Sequence, residues 1–339
     1  MKRGCVLVSK LLEVAKLAGV SKATVSRVIN NSDAVSPQAK QKVLEAMETL
    51  KFQSHNLKRA PESSSMLGVV LPFGKHIWSH SFGIDILAGA EEKAFDHDYM
   101  ILIGNSNGGR ETALTANMTS RGVEGLIVQS AERGQAEHLR YVQSLGVPLV
   151  LVDQKVEGLQ SHLVRGDNFS GAVTLMTHLF EHGHTRIGLV SPNKHFTYKE
   201  RMKGYRFALL DRGIWMPESY EALGGDESLA AQLNRMLMQN EPPTALFVAS
   251  TGMLREIIDV LGEHNLRVPE HISIVTFDEH YSIVPEGYQE FFTSINQSGK
   301  LMGSMAVELL FQQLRNPAME PQEIVLPGRF TERRSVRRL

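Results

Sequence analysis

The sequence lacks the features that mark several common protein classes. It has one cysteine, Cys5, which excludes an internal disulfide and suits the reducing cytoplasm. No apolar run approaches the roughly 20 residues that a membrane-spanning helix needs, so no membrane segment is expected. Lys and Arg number 36 against 37 Asp and Glu, so neither sign of charge dominates. With 339 residues, of which 42% are hydrophobic, we expect a cytoplasmic globular protein of two or three domains.

The charge is unevenly distributed along the chain. Residues 1–60 contain eleven Lys and Arg and four acidic residues, a net charge of +7, which leaves −8 on the remainder. A basic segment joined to an acidic body indicates that one module binds nucleic acid. The alternative is a segment that binds acidic lipid, but its apolar residues have the spacing of packed helices. Residues 1–10 are expected to be an extension ahead of the first domain.

Residues 11–53 have the pattern of a small helical domain. Apolar residues recur at helical spacing over 12–18 and 22–30, Gly19 supplies a turn between them, and Ser21 is placed as an N-cap. Two helices joined by such a turn form a helix-turn-helix motif, whose second helix enters the major groove of DNA.

A third helix is predicted after these two. Ser36 is placed as its N-cap, and Pro37 occupies the first helical position, which proline favours. The helix is expected to run to residue 51. Its predicted buried stripe consists of Val43, Leu44, Met47 and Leu50.

The second helix has an apolar face and a polar face. Val25, Val28 and Ile29 are expected to point inward, which leaves the other side chains free to contact DNA. Basic side chains hydrogen-bond guanine, and Ala contacts the methyl group of thymine. The predicted base-reading residues are Lys22, Ala23 and Arg27. Short polar side chains suit phosphate oxygens, and the predicted phosphate contacts are Ser21, Thr24, Ser26 and Asn30. The alternative is a three-helix bundle with a solvated polar face.

Five short segments of this domain carry a family signature. They are VA at 14–15, AGVS at 18–21, TVSRVIN at 24–30, VS at 35–36 and LKF at 50–52. Together they resemble the opening of the lactose-repressor/galactose-repressor family of bacterial transcription regulators. The likeness extends more loosely to ERRSV at 332–336. It implies a homodimer that binds a pseudo-palindromic double-stranded DNA operator under the control of a small sugar-type effector.

Residues 54–65 break the helical periodicity and are predicted to form a hinge or linker, with Pro61 and a run of serines. In the resembled family this segment folds into a hinge helix on DNA, where a Leu wedges into the minor groove. The hinge residues that the resemblance implies are Asn56, Leu57 and Arg59. Pro61 stands where the wedge Leu usually lies, which leaves Leu57 as the apolar candidate.

Residues 66–339 alternate short apolar runs with helical patterns. The runs begin at positions 66, 99, 125, 147, 186, 244 and 272. Strands buried on both faces that alternate with helices are typical of parallel sheets. LGVV at 67–70 resembles IGLV at 187–190, which favours two similar subdomains.

The expected fold is an N-terminal all-α helix-turn-helix head and an α/β core like that of periplasmic binding proteins. The core is expected to contain two doubly wound parallel-sheet lobes for effector binding and dimerisation. The predicted limits are 66–165 and 297–325 for the N-lobe, and 166–296 and 326–339 for the C-lobe.

The core lacks two motifs that mark nucleotide-dependent enzymes. No GxGxxG follows a strand, and no GxxxxGK[ST] occurs. His182, Gly183 and His184 form the closest histidine cluster, but they follow a predicted helix and are expected to be its C-cap and turn. We therefore expect no enzymatic activity, no cofactor and no metal site.

Several polar side chains follow the predicted strands, where ligands bind in open α/β sheets. In the resembled family these places hold the effector. Acidic residues accept its hydroxyls, an aromatic ring covers its face, and an Arg makes charged hydrogen bonds. The predicted effector-binding residues are Ser81, Phe82, Asp153, His195, Thr197, Arg201, Thr251 and Asp278.

One departure from the family bears on the effector. Ser250 and Thr251 stand where the family commonly has Asn-Asp, while Arg201, His195 and Lys199 remain nearby. A site that loses a carboxylate and keeps cations tolerates an anion better, so a sugar phosphate or sugar acid is predicted. Two alternatives to a regulator are a solute-binding protein, which needs a signal peptide, and a sugar kinase, which needs a phosphate loop.

Overall fold

The computed structural model describes most of the chain and divides it into two compact units, Met1–Ser64 and Ser65–Leu339. The described residues are 13–29, 35–50, 64–72, 81–106, 110–129, 136–144, 146–156, 158–192, 195–225, 227–278, 284 and 286–339. Each unit has its own hydrophobic core. The first unit is called the head and the second the core.

The head contains three helices, α1 over residues 13–18, α2 at Lys22–Ile29 and α3 at Pro37–Thr49. Their buried side chains are Val14, Ala15, Ala18, Val25, Val28, Val43, Ala46 and Met47. The predicted stripe of α3 was partly wrong, because Leu44 and Leu50 are exposed and Ala46 is buried. Positions 43, 46 and 47 lie on one face at helical spacing. The helix-turn-helix head is confirmed.

Local hydrogen bonds fix the ends of these helices. Gly19 has a φ of +64°, and Val20 N–H donates to the Ala15 oxygen at 3.0 Å, which closes α1. Ser21 Oγ accepts from Thr24 N–H at 3.1 Å at the start of α2. Ser36 Oγ accepts from Ala39 N–H at 3.3 Å at the start of α3. Both serines therefore act as N-caps.

The first sheet of the core has six strands in the order β11-β5-β4-β3-β1-β2. All its strand pairs are parallel. Its strands are β1 Met66–Leu71, β2 Met100–Asn105, β3 Gly125–Val128, β4 Leu149–Val152, β5 His162–Gly166 and β11 Glu323–Leu326. Helices α4 Ser81–Phe95 and α11 Gly299–Arg315 cover one face, and α5 Glu111–Ser120 and α6 Ala136–Ser144 cover the other.

The second sheet repeats this plan in the order β12-β10-β9-β8-β6-β7. Its strands are β6 Ile187–Val190, β7 Glu221–Ala222, β8 Ala245–Val248, β9 Ser273–Phe277, β10 Thr293–Asn296 and β12 Arg329–Thr331. Helices α7 Asn168–Glu181 and α8 Phe196–Asp211 cover one face, and α9 Leu229–Leu237 and α10 Leu254–Glu263 cover the other. Two doubly wound lobes are therefore confirmed, with one exception to parallel pairing, since β12 is antiparallel to β10.

Three connections cross between the two sheets. The chain passes from β5 to α7, from β10 to α11 and from β11 to β12. The segments that follow β5 and β10 therefore lie where the two lobes join.

Candidate functional site

The head presents part of the surface predicted to bind DNA. Ser21 and Lys22 are exposed at the start of α2, and Thr24 is half-buried. The Ser21 and Thr24 hydroxyls lie 2.9 Å apart, so one hydrogen-bonds the other. The positions of Ala23, Ser26 and Arg27 lie within α2, but their side chains are outside the described residues. So are Asn30 and the hinge residues Asn56, Leu57 and Arg59.

Arg201, in the second turn of α8, is 4% exposed and hydrogen-bonded in three directions. Its Nε donates to Asn168 Oδ1 at 2.7 Å, its Nη1 to the Ala249 backbone oxygen at 2.7 Å, and its Nη2 to Asp278 Oδ2 at 3.3 Å. Its guanidinium carbon lies 4.0 Å from the centre of the Phe277 ring. A buried cation is stable only when it is paired in this way, so Arg201 is held in one position.

Asp278 follows β9 and has a φ of +59°, which is uncommon for a residue other than glycine. Its Oδ1 accepts from Gln297 N–H and its Oδ2 from Gln297 Nε2, both at 3.0 Å. The Thr251 hydroxyl donates to the backbone oxygens of Phe277 and Asp278. The Asp278 carboxylate is therefore fixed between Arg201 and the crossover that leads to α11.

Asp153 follows β4 in the first lobe and has a φ of +53°. The residue is only half-buried, but its Oδ1 is shielded from solvent and accepts no hydrogen bond from the described residues. Burial raises the pKa of this carboxyl group to about 7, against the lowering effect of the Arg201 charge and with a further increase from Asp278. Asp153 therefore offers an unsatisfied acceptor close to the Arg201–Asp278 pair.

The other predicted effector residues differ in their environments. Thr197 is buried in the first turn of α8, and Thr251 is buried with its hydroxyl turned to the backbone. His195 is exposed at the N-cap of α8. Phe82 is half-buried against the core of the first lobe. Ser81 begins α4, but its side chain is outside the described residues.

Three residues of the cluster were missed by the sequence analysis, namely Asn168, Gln297 and Gly166. Asn168 Nδ2 donates to the Gly166 oxygen at 3.2 Å while its Oδ1 accepts from Arg201. A Cβ on Gly166 would lie 2.0 Å from Gln297 Oε1, so any larger residue would displace this amide. All three lie at or just after the end of a strand, which is the position that indicates a ligand-binding residue. The sequence did not predict β5 or β10 as strands, so these residues were not recognised.

The cavities described in the core lie away from this cluster. One of about 320 Å³ is lined by residues between Leu151 and Leu163 and by Glu320 to Glu323. Another of about 310 Å³ is lined by residues of α4 and by the start of α11. Residues 73–80, 193–194 and 279–283, which follow β1, β6 and β9 in sequence, are outside the described residues. The described part of the site is the polar cluster itself.

The chain has a helix-turn-helix head and a two-lobed α/β core with a polar cluster at the lobe crossovers. This combination defines the class of DNA-binding regulators with a ligand-binding core. Two family comparisons agree with this class. The family described as "Bacterial regulatory proteins, lacI family" matches residues 10–55. The family described as "Periplasmic binding protein-like domain" matches residues 176–336. The chain therefore carries a lacI-family helix-turn-helix domain and a periplasmic-binding-protein-like domain.

Relatives and solved structures match nearly the full length of the chain. Catabolite control protein A of Priestia megaterium is 29% identical over 96% of this chain and 99% of its own. The structure of the transcriptional regulator CelR–cellobiose complex is 27% identical with a TM-score of 0.72, and covers 96% of this chain and 99% of that one. The lac repressor dimer bound to operator and the anti-inducer ONPF is 25% identical with a TM-score of 0.68, over 96% and 98%.

These relatives are regulators, which confirms the prediction that the chain is not an enzyme.

One segment, GNSNG at 104–108, has the GxSxG spacing of some hydrolase nucleophiles. Its Ser106 is 1% exposed, and the Ser106 hydroxyl has no hydrogen-bond partner among the described residues. A nucleophilic serine needs access to substrate and a hydrogen-bonded base, and Ser106 has neither in this part of the structure.

Among the described helices, none has both the length and the apolar character needed to cross a bilayer.

Proposed function

We propose that this protein is a transcriptional repressor whose operator affinity is controlled by a small carbohydrate-type effector bound between the two core lobes. The head, with its hinge at 54–65, binds a pseudo-palindromic operator as part of a homodimer in the cytoplasm. In this proposal, base edges are read by Lys22, Ala23 and Arg27. The effector residues are those around Arg201, Asp278 and Asp153.

The observation that carries the proposal is the cluster at the lobe crossovers. Asp153 belongs to the first lobe, Arg201 and Asp278 belong to the second, and Gln297 lies on a chain segment that joins them. A ligand that bonds to groups of both lobes stabilises one arrangement of the lobes relative to others. Such a ligand changes DNA affinity only to the extent that it binds the two arrangements differently.

The described groups favour a neutral, hydroxyl-rich effector. Arg201 is already matched by Asp278, and Asp153 adds a second carboxyl group. His195 and Lys199 are exposed at the start of α8, so their charges are screened by solvent. The cellobiose complex of the related regulator supports the same ligand class. The anionic effector derived from the sequence stays a prediction, and its charge would face Asp153.

Exposed apolar side chains support the homodimer. Met100 and Ile103 of the edge strand β2 are 68% and 51% exposed, and Phe95 at the end of α4 is 73% exposed. Apolar groups on an open sheet edge are a liability in a monomer and fit contact with a second copy. Lac repressor is a dimer in its operator complex.

The test is DNA binding with a panel of effectors. Fluorescence anisotropy on DNA flanking the gene, repeated at several salt concentrations, should give specific binding with a steep salt dependence. Neutral sugars and sugar phosphates are then added separately, and calorimetry measures their direct binding. A neutral sugar that binds and changes DNA affinity supports the proposal. Tight binding of a sugar phosphate alone would instead support the anionic effector, and no binding of duplex DNA would contradict the repressor function.

A further inference from the structure

The C-terminal end of α7 brings two histidines and a glutamate together. His178 lies in the last turn of α7 and His182 is its C-cap, one helical turn further on, and the centres of their rings lie 4.3 Å apart. Glu332 follows β12, the strand beside this end of the helix. The potential ligand atoms of the three side chains all lie within 4.8 Å of one another.

Hydrogen bonding leaves a nitrogen of His182 free to bind a ligand. His182 Nδ1 lies 2.8 Å from the His178 backbone oxygen. A carbonyl oxygen only accepts, so Nδ1 carries the hydrogen, and in the neutral ring Nε2 keeps its lone pair. Metal-bound histidines commonly donate their second nitrogen to a backbone carbonyl in this way, which fixes the ring and its tautomer.

His178 supplies a second, independent indication. The residue is 6% exposed, and its Nε2 is buried with no hydrogen-bond partner among the described residues. Buried polar atoms are nearly always satisfied, so an unpaired imidazole nitrogen requires an explanation. Packing against the Phe330 ring, whose centre is 5.2 Å away, accounts for the position of the ring but leaves Nε2 without a partner.

His184, close by in sequence, shows what a structural histidine looks like here. Its Nδ1 bonds with Thr244 Oγ1 at 2.9 Å, and its Nε2 with the Arg337 backbone oxygen at 3.0 Å. Gly183 has a φ of +88° and His182 is the C-cap of α7, so the turn expected from the sequence is present. Both nitrogens of His184 are used, whereas Nε2 of His178 and Nε2 of His182 make no hydrogen bond to the described residues.

We propose that His178, His182 and Glu332 form a metal site in the second lobe for a borderline divalent ion such as Zn²⁺. Two imidazole nitrogens and one carboxylate oxygen are a ligand set that Zn²⁺ favours, with a water completing four-coordination. The ion would join the end of α7 to the segment after β12. Since α7 begins at Asn168, which accepts from Arg201, the metal would brace the helix whose other end enters the effector cluster.

The test is metal binding to the full-length protein after treatment with a chelator. Zn²⁺ titrated by calorimetry should bind at one equivalent per chain, and Co²⁺ in its place should give the visible absorption of a four-coordinate ion. His182→Gln and Glu332→Gln should each weaken Zn²⁺ binding by at least about tenfold, since losing even an outer-shell partner weakens a site by that factor. His271→Gln, at an exposed histidine of the same lobe, should bind Zn²⁺ as the wild type does.

Thermal unfolding separates loss of the site from loss of the fold. Zn²⁺ should raise the Tm of the wild type and of His271→Gln but not that of His182→Gln, while the three Tm values without metal should be similar. The proposal would be overturned by the absence of saturable binding. Binding of equal strength in wild type and His182→Gln would place the metal elsewhere and would also overturn it.

Discussion

The two lobes of the core carry an aspartate at the same point of the same backbone pattern. Asp153 follows β4 and Asp278 follows β9, and each of these strands is third in its sheet. Both residues have positive φ, and both backbone N–H groups donate at 2.8 Å to the neighbouring strand, at Val164 and Ile295. The two carboxyl groups therefore start from equivalent positions.

The helices beside these aspartates differ in one position. Gly89 of α4 and Gly204 of α8 are equivalent, because each lies against a backbone oxygen of the other helix on its face of the sheet. Three residues before them, α4 carries Ile86 where α8 carries Arg201. Both residues are buried, so the first lobe has an aliphatic side chain at the position where the second lobe has a cation.

The residue after the neighbouring strand differs as well. Gln297, two residues beyond Ile295, donates twice to Asp278, whereas Gly166, two residues beyond Val164, has no side chain. The second lobe has thus paired its aspartate with a cation. Asp153 is hydrogen-bonded by the Gly166 backbone and the Asn168 side chain, but its Oδ1 has no partner among the described residues. The same backbone pattern therefore gives one aspartate, Asp278, with its partners in place and one, Asp153, with an oxygen still available. We infer that a hydroxyl group of the ligand donates to Asp153 Oδ1.

The largest effect should come from removing the cation of the second lobe. Arg201→Met would leave Asp278 and Asn168 buried without their partner, and should lower the free energy of unfolding by about 3–5 kcal/mol. Urea denaturation measures this loss. Arg206→Met is the matched control on the same helix, since Arg206 pairs with Glu221 at the surface and should contribute about 0–1 kcal/mol. Similar losses in the two variants would contradict the pairing described here.

A smaller effect is expected where the two lobes meet. Gly166→Ala would place a Cβ against Gln297 Oε1 and push this amide away from Asp278. Overpacking of this kind typically costs about 1–3 kcal/mol, and effector affinity should fall with stability. Gly262→Ala, at a helical glycine with open space around it, should instead be neutral or stabilising in the same urea and calorimetry experiments. A neutral Gly166→Ala would show that Gln297 is not held as described.

A change in the head should alter DNA binding and leave both lobes as they are. Arg27→Ala should cost about 1–3 kcal/mol of operator binding and relax specificity at one base pair. Lys42→Ala removes the same charge from α3, and its effect should not depend on the base sequence. Anisotropy measured on a set of single-base operator variants distinguishes the two. An unchanged operator preference in Arg27→Ala would contradict the assignment of α2 as the reading helix.

The Asp153 carboxyl group should make the stability of the protein depend on pH. The pKa of Asp153 is raised from 3.8 to about 7, so between these values the folded state binds more protons than the unfolded state. The contribution of this group to stability therefore falls as pH rises through that window. Asp153→Asn should be more stable than wild type by up to about 4 kcal/mol near pH 8, with most of the difference lost near pH 4. Urea denaturation across this range measures it, and an advantage that grows toward low pH would contradict the assignment.

The sequence allowed the prediction of those parts that carry strong local signals. The helix-turn-helix head was predicted from Gly19, the serine caps and the apolar spacing. The seven long apolar runs predicted the strands β1 to β4, β6, β8 and β9. Five strands were missed for physical reasons. β5 contains His162 and Arg165, β10 is made largely of polar residues, β7 has two residues, and β11 and β12 lie at sheet edges.

The site was predicted only where it follows a strand that had been recognised. Arg201, Asp153 and Asp278 satisfied that condition. Gln297 and Asn168 did not, since they follow β10 and β5. The pair His178 and His182 has helical spacing that was visible in the sequence, but Glu332 is 150 residues further on and is brought near only by the antiparallel placement of β12.

In the proposed function, a ligand held between the two lobes controls DNA binding by the head. The most direct test selects DNA from a randomised duplex library with the full-length protein, then measures the Kd of the selected site with and without each sugar of the panel. The account predicts a pseudo-palindromic site and a sugar that changes its Kd at least about fivefold, the lower limit of typical coupling, in wild type but not in Arg201→Met. Failure to enrich any sequence, or a sugar response that persists in Arg201→Met, would contradict it.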